Sequence, residues 1–173
     1  MDASIEPDTK NWTWVLERPC PDCGFDAAEV SVADVGSSTR SLAASWRRAL
    51  EADGVTTRRR PDRWSTLEYG CHVRDVFRLF DRRLELMLTV DDPSFENWDQ
   101  DATALEDGYA AQDPRVVSAE LVEAALRVAE RFDSVAADQW HRRGTRSDGA
   151  VFTVESFARY FLHDPIHHLW DVA

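Results

Sequence analysis

Apolar residues recur along this chain at helical spacing, and four segments carry the pattern. In the first, from about Asp26 to Ala52, Val35, Leu42, Trp46 and Leu50 fall on one stripe and Gly54 closes the segment. The second runs from Ser65 to about Val90. Ser65 and Glu68 stand at S-x-x-E spacing, the signature of a capping box that satisfies two backbone donors at a helix start. Leu67, Cys71, Phe77, Phe80, Leu84, Met87 and Leu88 form its buried side, and Asp91-Asp92-Pro93 stops it. The third, from about Pro114 to Ala137, has the most regular stripe: Val117, Leu121, Ala124, Val128, Phe132 and Val135. Pro114 falls in its first turn, where a missing N–H costs little. The fourth spans about Thr153 to Val172, with Phe157, Phe161 and Leu169 on one side.

The connections set the topology. Pro93 to Pro114 is a polar stretch holding Phe95, Trp98 and Tyr109. At roughly 20 residues it is long for a link inside a bundle. It can run the bundle's length, so that the third helix starts at the same end as the second. Trp140 to Ala150 reads as a turn or short hairpin. Residues 1–25 hold Trp12, Trp14 and the Cys20-Pro-Asp-Cys23-Gly turn, and read as an irregular arm packed on the bundle. The predicted fold is all-α: an N-terminal arm over 1–25 and a four-helix bundle over 26–173, with a long crossover between helices two and three.

Composition narrows the function classes. At 173 residues, 43% hydrophobic and 10% aromatic, the chain is one domain with a real core. Its 20 Lys and Arg against 32 Asp and Glu leave a net charge of −12. That charge repels nucleic acid and anionic membrane surfaces. No apolar run reaches the roughly 20 residues of a membrane span. The opening MDASIEPDTK lacks the charged and apolar regions of a signal peptide, which points to the cytoplasm. Three cysteines do not suggest a disulfide framework. Cys20 and Cys23 are open to three readings: a structural turn with free thiols, a redox-labile pair, or a metal site completed by histidine or a partner. Cys71 reads as core.

The candidate chemistry lies in the fourth helix, in His163-Asp164-Pro165-Ile166-His167-His168. His163 and His167 are one turn apart, with Cβ atoms about 6 Å apart, and can share one ion at metal–nitrogen bonds of about 2.0–2.1 Å. His72, near the start of the second helix, can complete a facial site with open positions, as a catalytic metal needs. Asp75 and Asp164 are candidate outer carboxylates for the ligating rings. His168 points about 100° away from His167 and reads as a surface or outer residue. Tyr160, three residues before His163, reads either as a packed bundle tyrosine or as a candidate general acid near the metal. Glu68 is explained by its capping role. Pro165 removes one helical hydrogen bond between the paired histidines. Arg58 to Arg60, and His141 with Arg142, Arg143 and Arg146, are basic loops on an acidic chain. They could steer an anionic substrate.

The segment Trp64-Ser65-x-x-Glu68-x-x-x-His72-x-x-Asp75, followed about 90 residues later by His163-Asp164-x-x-His167-His168, resembles the DinB/YfiT-like metal-binding superfamily. The resemblance covers roughly residues 30–173. It implies a four-helix bundle with a long crossover and a divalent metal on His72, His163 and His167. It also implies kinship with mycothiol-dependent maleylpyruvate isomerases and bacillithiol S-transferases. The expected function is then a metal-dependent transferase or isomerase working through a low-molecular-weight thiol such as mycothiol on a small-molecule substrate. The alternatives are a metal-dependent hydrolase, or a non-enzymatic binding or stress-related bundle. Histidine ligands suit zinc or nickel as well as iron or copper. The resemblance also makes a homodimer plausible.

Overall fold

The computed structural model describes Ile5, Pro7, Asp8 and residues 10–173. Four long helices carry the apolar stripes: α1 (Val35–Leu50), α2 (Thr66–Thr89), α4 (Pro114–Asp133) and α5 (Val154–Val172). A short α3 (Gln100–Glu106) lies in the crossover. The capping box forms as its spacing predicts. The Ser65 hydroxyl accepts from the Glu68 N–H, and the Glu68 carboxylate accepts from the Ser65 N–H at 2.8 Å. A second box, Thr153 with Ser156, starts α5. Arginines from the basic loops close two helix ends, where carbonyls lack helical partners. Arg142 donates to the carbonyls of Met87 and Val90 at 2.7 and 2.9 Å, and Arg59 reaches those of Val172 and Ala173.

Ion pairs reveal the helix directions. Arg74 of α2 pairs with Glu120 of α4, and further along both helices Asp81 and Glu85 pair with Arg131. The two helices therefore run parallel, which is the arrangement the long crossover permits. α5 runs opposite to α2: Phe80 stacks on Phe157 at 4.6 Å, whereas His72 meets Asp164. α1 opposes α4 at close range. A Cβ on Gly36 would lie 3.0 Å from the Ala129 carbonyl oxygen, so only glycine lets the two backbones approach this closely there. Trp46, Phe77, Leu84, Leu121 and Phe161 fill the space between the helices. The Trp46 indole donates to the Pro165 carbonyl at 3.1 Å and holds α5 at its proline.

Three segments differ from the sequence expectation. The first helix starts at Val35, not near Asp26; residues 26–34 form two short 3-10 turns, Ala27–Glu29 and Val32–Asp34. Asp26 caps the first turn through the Ala28 N–H, and Val30 and Ser31 are extended between the two, so local capping competes with a continuous helix. α4 ends at Asp133, short of Ala137. The crossover holds α3, started by the Asp99 cap, and β1 (Ser94–Phe95). β1 pairs in parallel with β2 (Arg143–Arg146), which forms a hairpin with β3 (Val151–Thr153). Strands this short leave no readable alternation. Among the described residues, no helix is long and apolar enough to cross a membrane.

Glu68 generates a stability prediction. Burial alone would raise its carboxyl, but the Arg58 guanidinium and the Ser65 N–H hold it below the usual carboxylate range. Such a group stabilises fully above its unfolded value of about 4.3, and the contribution is lost as pH falls through the lower folded value. Glu68→Gln should cost roughly 1–3 kcal/mol at pH 7. Chemical denaturation should show the gap between variant and wild type narrowing towards pH 3. An equal gap at both pH values would exclude the ion pair as its source.

Candidate metal centre

A helix turns about 100° per residue. His163 and His167 therefore share one face of α5, and Asp164 and His168 share the next. The face carrying Asp164 and His168 meets α2. His72 Nε2 lies 3.2 and 3.3 Å from the two oxygens of Asp164, and His168 Nε2 lies 3.9 Å from Asp164 Oδ1. One ligand atom from each of His72, Asp164 and His168 falls within 4.8 Å of the other two. Asp164 Oδ1 and His72 Nδ1 are buried without a hydrogen-bond partner among the described residues. Such orphaned atoms cost free energy unless something satisfies them. The His168 Nδ1 pairs with Asp171 at 2.8 Å, which directs Nε2 towards the cluster. Burial would raise the Asp164 carboxyl, but His72 and His168 hold it well below the usual range. The set of two imidazole nitrogens and a carboxylate suits a divalent transition metal. Trp98 stacks on His72 at 5.3 Å, with the rings 5° from parallel.

The other face of α5 meets the N-terminal arm. Cys20 Sγ lies 3.6 Å from His167 Nδ1, and ligand atoms of Cys20, Cys23, His163 and His167 all fall within 4.8 Å of one another. His163 Nε2 is a third buried atom with no hydrogen-bond partner among the described residues. Gly24, at φ +75°, turns the chain after Cys23 in a conformation natural to glycine. The Cys20 N–H then donates to the Phe25 carbonyl at 2.8 Å and closes the turn. Trp12 covers the cluster, its ring 5.4 Å from His163 and 5.2 Å from His167. Burial pushes the Cys23 thiol up to about 11. Burial and His167 push His163 down to about 4, and burial and His168 lower His167. Both rings are therefore neutral near pH 7, the form that binds metal.

The expected triad of His72, His163 and His167 is thus divided between two clusters. His163 and His167 sit together, with ring centroids 5.0 Å apart, but their companions are cysteines. His72 joins Asp164, expected as an outer carboxylate, and His168, expected as a surface or outer residue. Asp75 does not attend the histidines. It accepts from Tyr109 Oη at 2.6 Å and pairs with Arg74 and Arg78. Asp171 was not anticipated, although its position three residues after His168 was a signal. Cys71 is core, and burial raises its thiol to about 12.

A cavity of about 550 Å³ opens onto both faces of α5, with Asp164, His168, Trp12, Trp98, Arg83 and Tyr160 in its wall. Arg146 also lines it, and is the one member of the basic loops that does. Arg146 holds Asp148 through two hydrogen bonds and donates to Tyr160 Oη at 3.2 Å. Burial raises the Tyr160 phenol above its ordinary value. Arg83 is 7% exposed, donates to the Glu96 carbonyl and lies over Phe95. Among the described residues no carboxylate pairs with it. Burial and neighbouring Arg146 bring it down to about 10.

Comparison with known proteins gives two matches. A sequence profile described as the DinB superfamily matches residues 36–172. Among solved structures, YfiT from Bacillus subtilis, described as a probable metal-dependent hydrolase with an unusual four-helix bundle topology, superposes with a TM-score of 0.72 at 20% identity. The match covers 83% of this chain and 88% of that one. No curated protein matches significantly.

Proposed function

The chain belongs to the DinB superfamily, and from that premise we propose that it is a metal-dependent enzyme acting on a small anionic substrate through a low-molecular-weight thiol. The observation that carries the reading is one cavity with two features. Asp164 and His168, which converge with His72, stand in its wall, as does Arg83, a buried cation with no carboxylate partner among the described residues. An ion bound by His72, Asp164 and His168 would supply Lewis-acid activation, lowering the pKa of a thiol or water in its open positions. Three protein ligands leave those positions available.

The remaining roles belong to the chain itself. Asp171 fixes the His168 ring through Nδ1, as outer carboxylates do for ligating histidines. Arg83 offers its guanidinium to a carboxylate or phosphate on the substrate. Tyr160 keeps its proton at neutral pH because burial raises the phenol, and Arg146 orients the hydroxyl. It is placed to donate to a leaving group. Trp12 and Trp98 supply apolar wall that limits water. About 550 Å³ is ample for a thiol cofactor beside an electrophile. A metal-activated water is the second reading, favoured by the description of YfiT as a probable metal-dependent hydrolase.

The test is turnover of a panel of anionic electrophiles by metal-loaded protein, with and without added thiol. Thiol-stimulated turnover that disappears in His72→Ala and His168→Ala is expected. Turnover independent of thiol would select the hydrolase, and turnover indifferent to both variants would remove this metal centre from the reaction. Tyr160→Phe should lower kcat by about 100-fold with little change in KM. In steady-state kinetics, Arg83→Met should raise KM by about tenfold or more for an anionic substrate, and leave a neutral analogue unaffected.

A further inference from the structure

We propose that Cys20, Cys23, His163 and His167 form a second, structural metal site: a closed tetrahedral zinc site that fastens the N-terminal arm to α5 and thereby sets one wall of the cavity. The donor set comes from two elements that the sequence separates by more than a hundred residues, and all four ligand atoms lie within 4.8 Å of one another. In a tetrahedron with zinc–sulfur bonds of about 2.3 Å and zinc–nitrogen bonds of about 2.0–2.1 Å, a sulfur and a nitrogen are about 3.5 Å apart. Cys20 Sγ and His167 Nδ1 are 3.6 Å apart.

The surroundings fit a bound cation better than free thiols. His163 is 4% exposed, and its Nε2 has no partner among the described residues. Asp171 Oδ2 lies 3.8 Å from His167 Nε2, on the side of the ring away from Cys20. Four protein ligands leave no open position, which marks a structural site.

The consequence reaches the cavity. The arm runs from the cysteine turn back through the 3-10 turn Trp12–Leu16 to Asp8, and Asp8, Lys10, Asn11 and Trp12 stand in the cavity wall. Trp12 lies against both histidines of the site. Metal at the four ligands ties this wall to α5.

The proposal does not depend on the centre at His72, and cobalt(II) substitution keeps the two apart. Tag-free, full-length protein purified under reducing conditions is loaded with cobalt, and its absorption spectrum is recorded. Wild type and His72→Ala should both show thiolate-to-cobalt charge transfer with the intense visible bands of tetrahedral cobalt. The Cys20→Ser, Cys23→Ser double variant should lose them, together with one equivalent of bound zinc by elemental mass spectrometry. In the zinc form the two thiols should resist a thiol reagent, and chelation should expose the arm to limited proteolysis. Absence of charge-transfer bands in the wild type would overturn the proposal. So would their survival in the double variant, a Cys20–Cys23 disulfide under reducing conditions, or an arm equally protected before and after chelation.

Discussion

The organisation of this protein depends on the pitch of α5. At about 100° per residue, His163-Asp164-Pro165-Ile166-His167-His168 cannot present all its imidazoles and its carboxylate to one partner. It presents two i, i+4 pairs on adjacent faces. α2 supplies His72 to one pair, and the cysteine turn of the arm faces the other. Along the helix Pro165 lies between the two members of each pair, with its carbonyl held by the buried Trp46 indole. That contact positions the middle of α5 against α1 and keeps both faces in register with their partners.

Asp171 links the two faces. One oxygen lies 2.8 Å from His168 Nδ1 and 3.8 Å from His167 Nε2, and the other takes an ion pair from Arg63. The two histidines thus turn different nitrogens towards their clusters, Nε2 for His168 and Nδ1 for His167. A carboxylate that engages the nitrogen opposite the ligating one sets ring orientation.

Charge is distributed with similar economy. The chain is strongly acidic overall, at −12. Three of the six arginines in its basic loops close helix ends or pair with a buried carboxylate: Arg142, Arg59 and Arg58. The cavity keeps Arg83 and Arg146. Desolvation is unfavourable for a guanidinium without a counter-ion, so retaining Arg83 in the wall is consistent with an anion binding there.

Local and periodic features were legible in the sequence. The four apolar stripes, the Ser65–Glu68 box, the start of α4 at Pro114 and the long crossover follow from spacing along one chain. The crossover's length also implied the parallel run of α2 and α4. The same spacing placed His163 beside His167, because residues one turn apart on a helix must be neighbours. It could not say which neighbours would be joined by groups from elsewhere. Whether His72 meets His163 or Asp164 depends on the rotation of α5 about its own axis, and packing against α1, α2 and the arm sets that rotation. Cys20 and Cys23 reach His163 and His167 only because the arm folds back along α5, a contact with no periodicity to announce it. The sequence by itself determined the bundle and the helix that bears the paired histidines. Tertiary structure decided the grouping, because a helix face has no partner until other segments pack on it.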